Sequence, residues 1–212
     1  PRSITQQVFH YLSDTMVINW ITENIVEIFG AVAGIAYVIL EIKRNILLWP
    51  LGIVTSAVYI YVFGRNGFYA NMGLQGYYLF ISVYGWYRWR RQQEGDQSGA
   101  RTDVRRIDSV TAWVCALVSV VLWAGLWLLL DRATDSPVPL WDGLIASFSV
   151  VATWMLTRKY IEQWYVWIVA NAIAVAVYLA SGLYPTAVLF LVYFVMAIVG
   201  VREWRKQSPV RQ

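Results

Sequence analysis

NILLWPLGIVTSAVYIYVFGRNGFYANMGLQGYYLFISVYGWYRW at residues 45–89 and YIEQWYVWIVANAIAVAVYLASGLYPTAVLFLVYFVMAIVGVREW at 160–204 decide how this chain folds. Laid over each other without a gap at a shift of 115 residues, and extended to 27–91 against 142–206, they share 14 identities in 65 positions. Apolar matches are common between any two greasy helices. Trp49/Trp164, Trp89/Trp204, Tyr69/Tyr184, Tyr78/Tyr193, Gly67/Gly182 and Gly85/Gly200 at one constant offset are not. The basic corner Lys43–Arg44 also falls on Arg158–Lys159. An internal repeat has to be found before elements are assigned, because it constrains the whole architecture.

Working outward, apolar residues form blocks at 25–42, 46–63, 68–87, 110–130, 141–157, 164–180 and 183–201. Each approaches the roughly 17–25 residues a helix needs to cross a bilayer. The chain is 58% hydrophobic and 14% charged, whereas a soluble domain carries about 25% charge. These features predict an all-α integral membrane protein with seven transmembrane helices. A shift of four crossings returns the chain to the same membrane face. The repeated units therefore run parallel, a 3+1+3 arrangement of two three-helix bundles joined by an odd helix, one of the symmetry types used by transporters. The organisation reads as an N-terminal interfacial segment 1–24, a first repeat 25–91, a polar linker 92–108, a connecting helix 109–131, a second repeat 132–206 and a tail 207–212.

The net charge of +4 first suggests nucleic acid, but its distribution points to lipid. With seven crossings, Arg2, Arg65 and Arg132 share one side and the other fourteen basic residues share the opposite side. The crowded side belongs in the cytoplasm, which puts the N-terminus outside and the C-terminus inside. No nucleic-acid partner is expected.

Polar side chains inside a span are costly unless they face partner helices or a cavity. Asn171 lies mid-way along the sixth block and its repeat mate Ser56 in the second, beside Thr55. Asn71 and Gln75 lie one turn apart on the third, and Ser147, Ser149 and Thr153 on the fifth. An interhelical hydrogen bond competes with ligand binding for the amides, and a bond to the helix's own backbone competes for the hydroxyls. Trp164, Trp167 and Asn171 stand at i, i+3 and i+7 and share a helix face. Two indoles beside a carboxamide suit a flat, polar or cationic ring. Trp164 could equally be an interfacial anchor, and Tyr78 and Tyr193 could be core residues with bonded hydroxyls. Trp49, the mate of Trp164, completes the candidate binding set.

Enzyme signatures are missing: the single His10 cannot serve a nucleophilic triad, and Glu27, Glu41 and Asp142 lie at block ends, not mid-membrane. The lone Cys115 offers no thiolate cage. No catalytic residue, metal or cofactor is expected.

The runs NILLWPLG at 45–52, YANMGLQ at 69–75, YGWYRW at 84–89, PLWDG at 139–143, TWMLTRKYIEQWYVWIVAN at 153–171 and REW at 202–204 resemble the PnuC family of vitamin transporters over nearly all of 27–206. The resemblance implies a SWEET-like full-length fold, a homotrimer in a bacterial inner membrane, and facilitated diffusion of nicotinamide riboside trapped by cytoplasmic phosphorylation. It carries the binding role onto Trp164, Trp167, Asn171, Asn71 and Gln75. Two departures stand out: relatives often have Asn where this chain has Thr55 and Ser56, and Asn in place of Gln163. A carrier of thiamine or another vitamin or nucleoside, and a sensor that binds without transporting, are the alternative readings.

A reporter fused after residue 212 tests the topology. It is expected to be active when it works only in the cytoplasm, and activity of a periplasm-only reporter there would refute it.

Overall fold

A computed structural model describes residues 25–65, 67, 69–94, 104–134 and 138–206. The N-terminal segment, most of the 92–108 linker and the 207–212 tail lie outside them. The described residues form seven helices: α1 (Ile25–Ile42), α2 (Leu48–Arg65), α3 (Tyr69–Glu94), α4 (Ser109–Ala133), α5 (Pro139–Thr157), α6 (Gln163–Ala180) and α7 (Tyr184–Arg205). The chain divides after Ala36 into two compact units, the second taking in everything from Tyr37 onward.

Six of these helices are long and apolar enough to cross a membrane, so the protein is a multi-pass membrane protein. The exception is α3, whose Asn71, Gln75 and run of tyrosines dilute its hydropathy. It also runs to Glu94, past the expected end at 87. Its 26 residues measure about 39 Å at 1.5 Å per residue, more than the ~30 Å hydrocarbon layer. The surplus is a charged last turn in which Arg90 Nε meets Glu94 Oε1 at 3.0 Å.

The repeat is written into the backbone. Positive φ angles occur at Arg44 (52°) and Lys159 (58°), and at Gly67 (75°) and Gly182 (73°); both pairs stand 115 apart. The left-handed conformation costs a non-glycine residue roughly 1–2 kcal/mol, so the two basic corners are held by their surroundings. The bonds that hold them match: Arg44 N–H donates to the Glu41 carbonyl at 3.0 Å and Lys159 N–H to Leu156 at 2.9 Å, while Asn45 N–H reaches Leu40 at 2.8 Å and Tyr160 N–H reaches Met155 at 3.2 Å.

Beside these corners lies the main core: Leu48, Trp49, Trp89, Val104, Leu156, Ile161, Trp164, Ala197, Val201 and Trp204. Trp49 meets Trp89 edge-on at 5.3 Å between ring centroids, and Trp164 meets Trp204 likewise at 5.6 Å. Each first indole lies flush on a glycine. A Cβ on Gly85 would fall 2.5 Å from the Trp49 ring, and one on Gly200 would fall 2.6 Å from Trp164. The Trp204 indole N–H donates to the Ile42 carbonyl at 3.2 Å, tying α7 to the end of α1. Around this core α2 packs on α3, α6 on α7, α5 on both α4 and α6, and α3 on α5.

The end of the polar linker is not loose. Arg105 N–H donates to the Lys159 carbonyl and the Arg105 carbonyl accepts from Ile161 N–H, both at 3.0 Å. Ile107 N–H donates to Glu162 Oε2 at 3.0 Å. This strap inserts Val104, 1% exposed, into the tryptophan core. Asp108 then caps α4, accepting from Thr111 N–H at 2.9 Å and Thr111 Oγ1 at 2.7 Å. Those bonds favour the ionised form and hold its carboxyl below the usual carboxylate range.

Gly85→Ala and Gly200→Ala should each destabilise the protein by about 1–3 kcal/mol through overpacking. Gly73→Ala, where a Cβ meets nothing within 4 Å, should not. Thermal unfolding in detergent reads the difference, and equal melting points for all three variants would sink the packing account.

Candidate solute-binding site

Along the inward face of α6, Gln163, Trp167 and Asn171 recur every four residues, nearly one turn apart. Gln163 is fully buried and Asn171 nearly so. Trp167 is half-buried, packs against the tryptophan core on one side, and leaves its indole N–H buried without a partner. Gln163 has no hydrogen-bonding neighbour but the Glu41 carboxyl. Beside Gln163 lies the carboxyl of Glu41, 2% exposed, whose Oε1 also has no partner.

Helices α1, α2, α3 and α5 close the other sides. Tyr37, one turn before Glu41, lies near Glu41, Tyr77 and Tyr78. The Tyr78 hydroxyl lies beside Ser149, and Tyr77 donates to the Val150 carbonyl at 2.7 Å. Gly52 lets these helices approach: a Cβ there would fall 2.7 Å from Ser82 Oγ and 3.2 Å from the Tyr37 ring. At the place of Gly52 the second repeat has Trp167. Sequence-equivalent positions thus supply a close helix approach in one half and a large ring in the other.

The hydroxyls and the amides behave differently. Thr55, Ser147, Ser149, Thr153 and Thr157 all donate to carbonyls of their own helix, at 2.7–2.9 Å. Their polarity is already used. The Trp167 N–H keeps its polarity available, and Gln163 meets only the Glu41 carboxyl. An unmade bond at a buried polar group costs about 1–3 kcal/mol, so such groups call for a partner.

Of the expected binding residues, Trp167, Asn171, Ser56 and Tyr78 are buried or half-buried, with Trp167 and Asn171 on one face. Trp49 and Trp164 lie sealed in the core against Gly85 and Gly200. Their faces are taken by protein, though both indole N–H groups lack partners. Tyr193 packs edge-on against Phe190 at 5.9 Å and lies near Tyr59. Gln75 is half-buried, and Asn71 is exposed near the start of α3. Tyr37, Glu41, Ser82 and Gln163 were not among the expected binding residues. No group of three or more His, Cys, Asp or Glu side chains arranged to hold a metal occurs among the described residues.

Residues 24–206 match the family model described as nicotinamide mononucleotide transporter. The chain belongs to that family. It is 23% identical over 208 residues to the nicotinamide riboside transporter PnuC of Escherichia coli strain K12, covering 88% of this chain and 87% of that one. It is 24% identical over 193 residues to the riboflavin/roseoflavin transporter RibM of Streptomyces davaonensis, covering 86% and 85%. The crystal structure of the vitamin B3 transporter PnuC superposes with a TM-score of 0.69 at 20% identity, covering 98% of this chain and 93% of that one. The fold is therefore that of the family. The match runs across both repeats and the strap, and so includes every helix that lines the site.

Truncating the two α6 tryptophans should separate core from site. Trp164→Ala empties a sealed position and should cost about 3–5 kcal/mol of stability. Trp167→Ala should leave the melting point nearly unchanged and weaken ligand binding by about 1–3 kcal/mol, the worth of one ring stack. Thermal unfolding and calorimetric titration of each variant check this, and a Trp167→Ala protein that binds normally would remove the indole from the site.

Proposed function

We propose that this chain carries nicotinamide riboside across a bacterial inner membrane by facilitated diffusion, with alternating access and metabolic trapping in the cytoplasm. The carrying observation is the face Gln163–Trp167–Asn171, a half-buried indole between two buried carboxamides, in a member of this transporter family. A planar ring would lie against Trp167, and the carboxamide and ribose hydroxyls would meet Asn171, Gln163, Ser56 and Tyr78. Trp49, Trp164, Asn71, Gln75 and Tyr193 would act around this centre by packing or on the approach path. Relatives carrying the name nicotinamide riboside transporter favour this cargo, and family membership points to transport and not catalysis.

The architecture proposed is seven spans, α3 included, as two parallel three-helix units joined by α4. Paired left-handed corners and paired indole–glycine seats at the 115-residue offset support it. The basic side would be cytoplasmic, N-terminus outside and C-terminus inside. In that orientation the tryptophan core and the strap, which sit beside the corners Arg44 and Lys159, close the cytoplasmic end. Opening inward would then require the edge-on Trp pairs to part. A homotrimer is the assembly the family resemblance favours.

A riboflavin-type cargo is the second reading, favoured by the similarity to RibM. Liposomes containing the purified protein decide the matter. Labelled nicotinamide riboside should enter saturably, without an ion gradient, up to equal concentration inside and out. Saturable uptake of riboflavin alone would favour the second reading, and tight binding with no flux of any ligand would mean a sensor.

A further inference from the structure

We propose that Glu41, buttressed by Gln163, is a charge-selecting subsite: it serves as the counter-ion for a solute whose ring carries a positive charge, and it disfavours neutral rings of the same shape. This rests on the carrier reading above and concerns which solutes the same site accepts.

The repeat supplies an internal control. Shifted by 115 residues, Glu41 falls on Leu156 and Gln163 falls on Leu48. Both leucines are fully buried members of the core. The corner fold is therefore satisfied by leucine at either position, and nothing in its packing asks for an acid or an amide. In each half, one of the two corner positions is leucine and the other is polar. The two polar residues, one from each half, are neighbours.

Neither replacement is compensated within the protein. No ion pair to Glu41 occurs among the described residues, its Oε1 has no hydrogen-bond partner, and the only hydrogen-bonding neighbour of Gln163 is the Glu41 carboxyl itself. A buried carboxylate is tolerated when a cation or donors meet it, and ionisable groups within membrane helices mark solute or ion paths. Glu41 stands one turn beyond Tyr37, and Gln163 one turn before Trp167, so the acid borders the aromatic walls of the site. A delocalised cation held between π faces and a carboxylate gains from both. A neutral ring gains only the stacking and leaves the carboxyl unmatched, which is the usual source of strong discrimination.

The test compares nicotinamide riboside with benzamide riboside, its uncharged isostere, by calorimetric titration of the whole protein in detergent. The wild type should prefer the cation at least about tenfold (about 1.4 kcal/mol). Glu41→Gln should abolish that preference by weakening the cation while leaving benzamide riboside unchanged. Glu41→Leu, which copies the residue of the other half, should do the same with an undiminished melting point. Equal wild-type affinities for the two ribosides would overturn the proposal without any variant. So would a Glu41→Gln protein that keeps its preference or loses both ligands together. A wild type that binds neither riboside would overturn the carrier reading itself, and this inference with it.

Discussion

Two indoles pressed onto glycine fix the point at which this bundle is joined. Trp49 and Trp164 each fill a seat on a neighbouring helix that no side chain could share. Each is braced edge-on by a second tryptophan one turn further along that same helix. Between lipid-bathed helices there is little hydrophobic force, because the tails are as apolar as the side chains, and association rests on close contact and on polar groups finding partners. A wide aromatic plate on a residue without a side chain gives the closest contact available. The corners, the docked strap and the approach of α7 to the end of α1 all gather around these two seats. Because the core there is packed solid, the remaining inward face of α6, at 167 and 171, is the candidate surface for a solute.

Much of this was legible in one dimension. Seven apolar blocks became seven helices, and their ends moved by only a few residues except where α3 and α7 run on as charged extensions. Those extensions are invisible to an apolar count because they are charged while remaining helical. The same count understates α3 for the opposite reason: its tyrosines and amides are polar by composition, yet it packs between α2 and α5. The repeat was legible as paired Trp and Gly. What the pairing was for, an indole and its seat in each half, needed three dimensions.

The site was legible in part, and the reason lies in what position along a helix can tell. Trp167 and Asn171 announce themselves by being large or polar in mid-span. Trp164, on the same nominal face three residues earlier, looks equally eligible, but a small rotation about the helix axis delivers it to Gly200. Glu41 draws no attention as a binding residue because it stands next to the end of its block, as it does at the end of α1; what the sequence does not show is that it is buried there, 2% exposed. The signal that could have found Glu41 and Gln163 was the repeat itself, read for its mismatches and not for its identities: two leucines exchanged for polar groups at sites where the other copy keeps them.

The strap also orders events during synthesis. Its backbone bonds join Arg105 to Lys159 and Ile161, and the Ile107–Glu162 bond spans 55 residues of sequence. At roughly 5–20 residues per second, the ribosome makes Val104 several seconds before the corner that will bury it exists. A nascent first half must therefore wait with that position uncovered, and the emergence of the second half is what completes the packing around Val104.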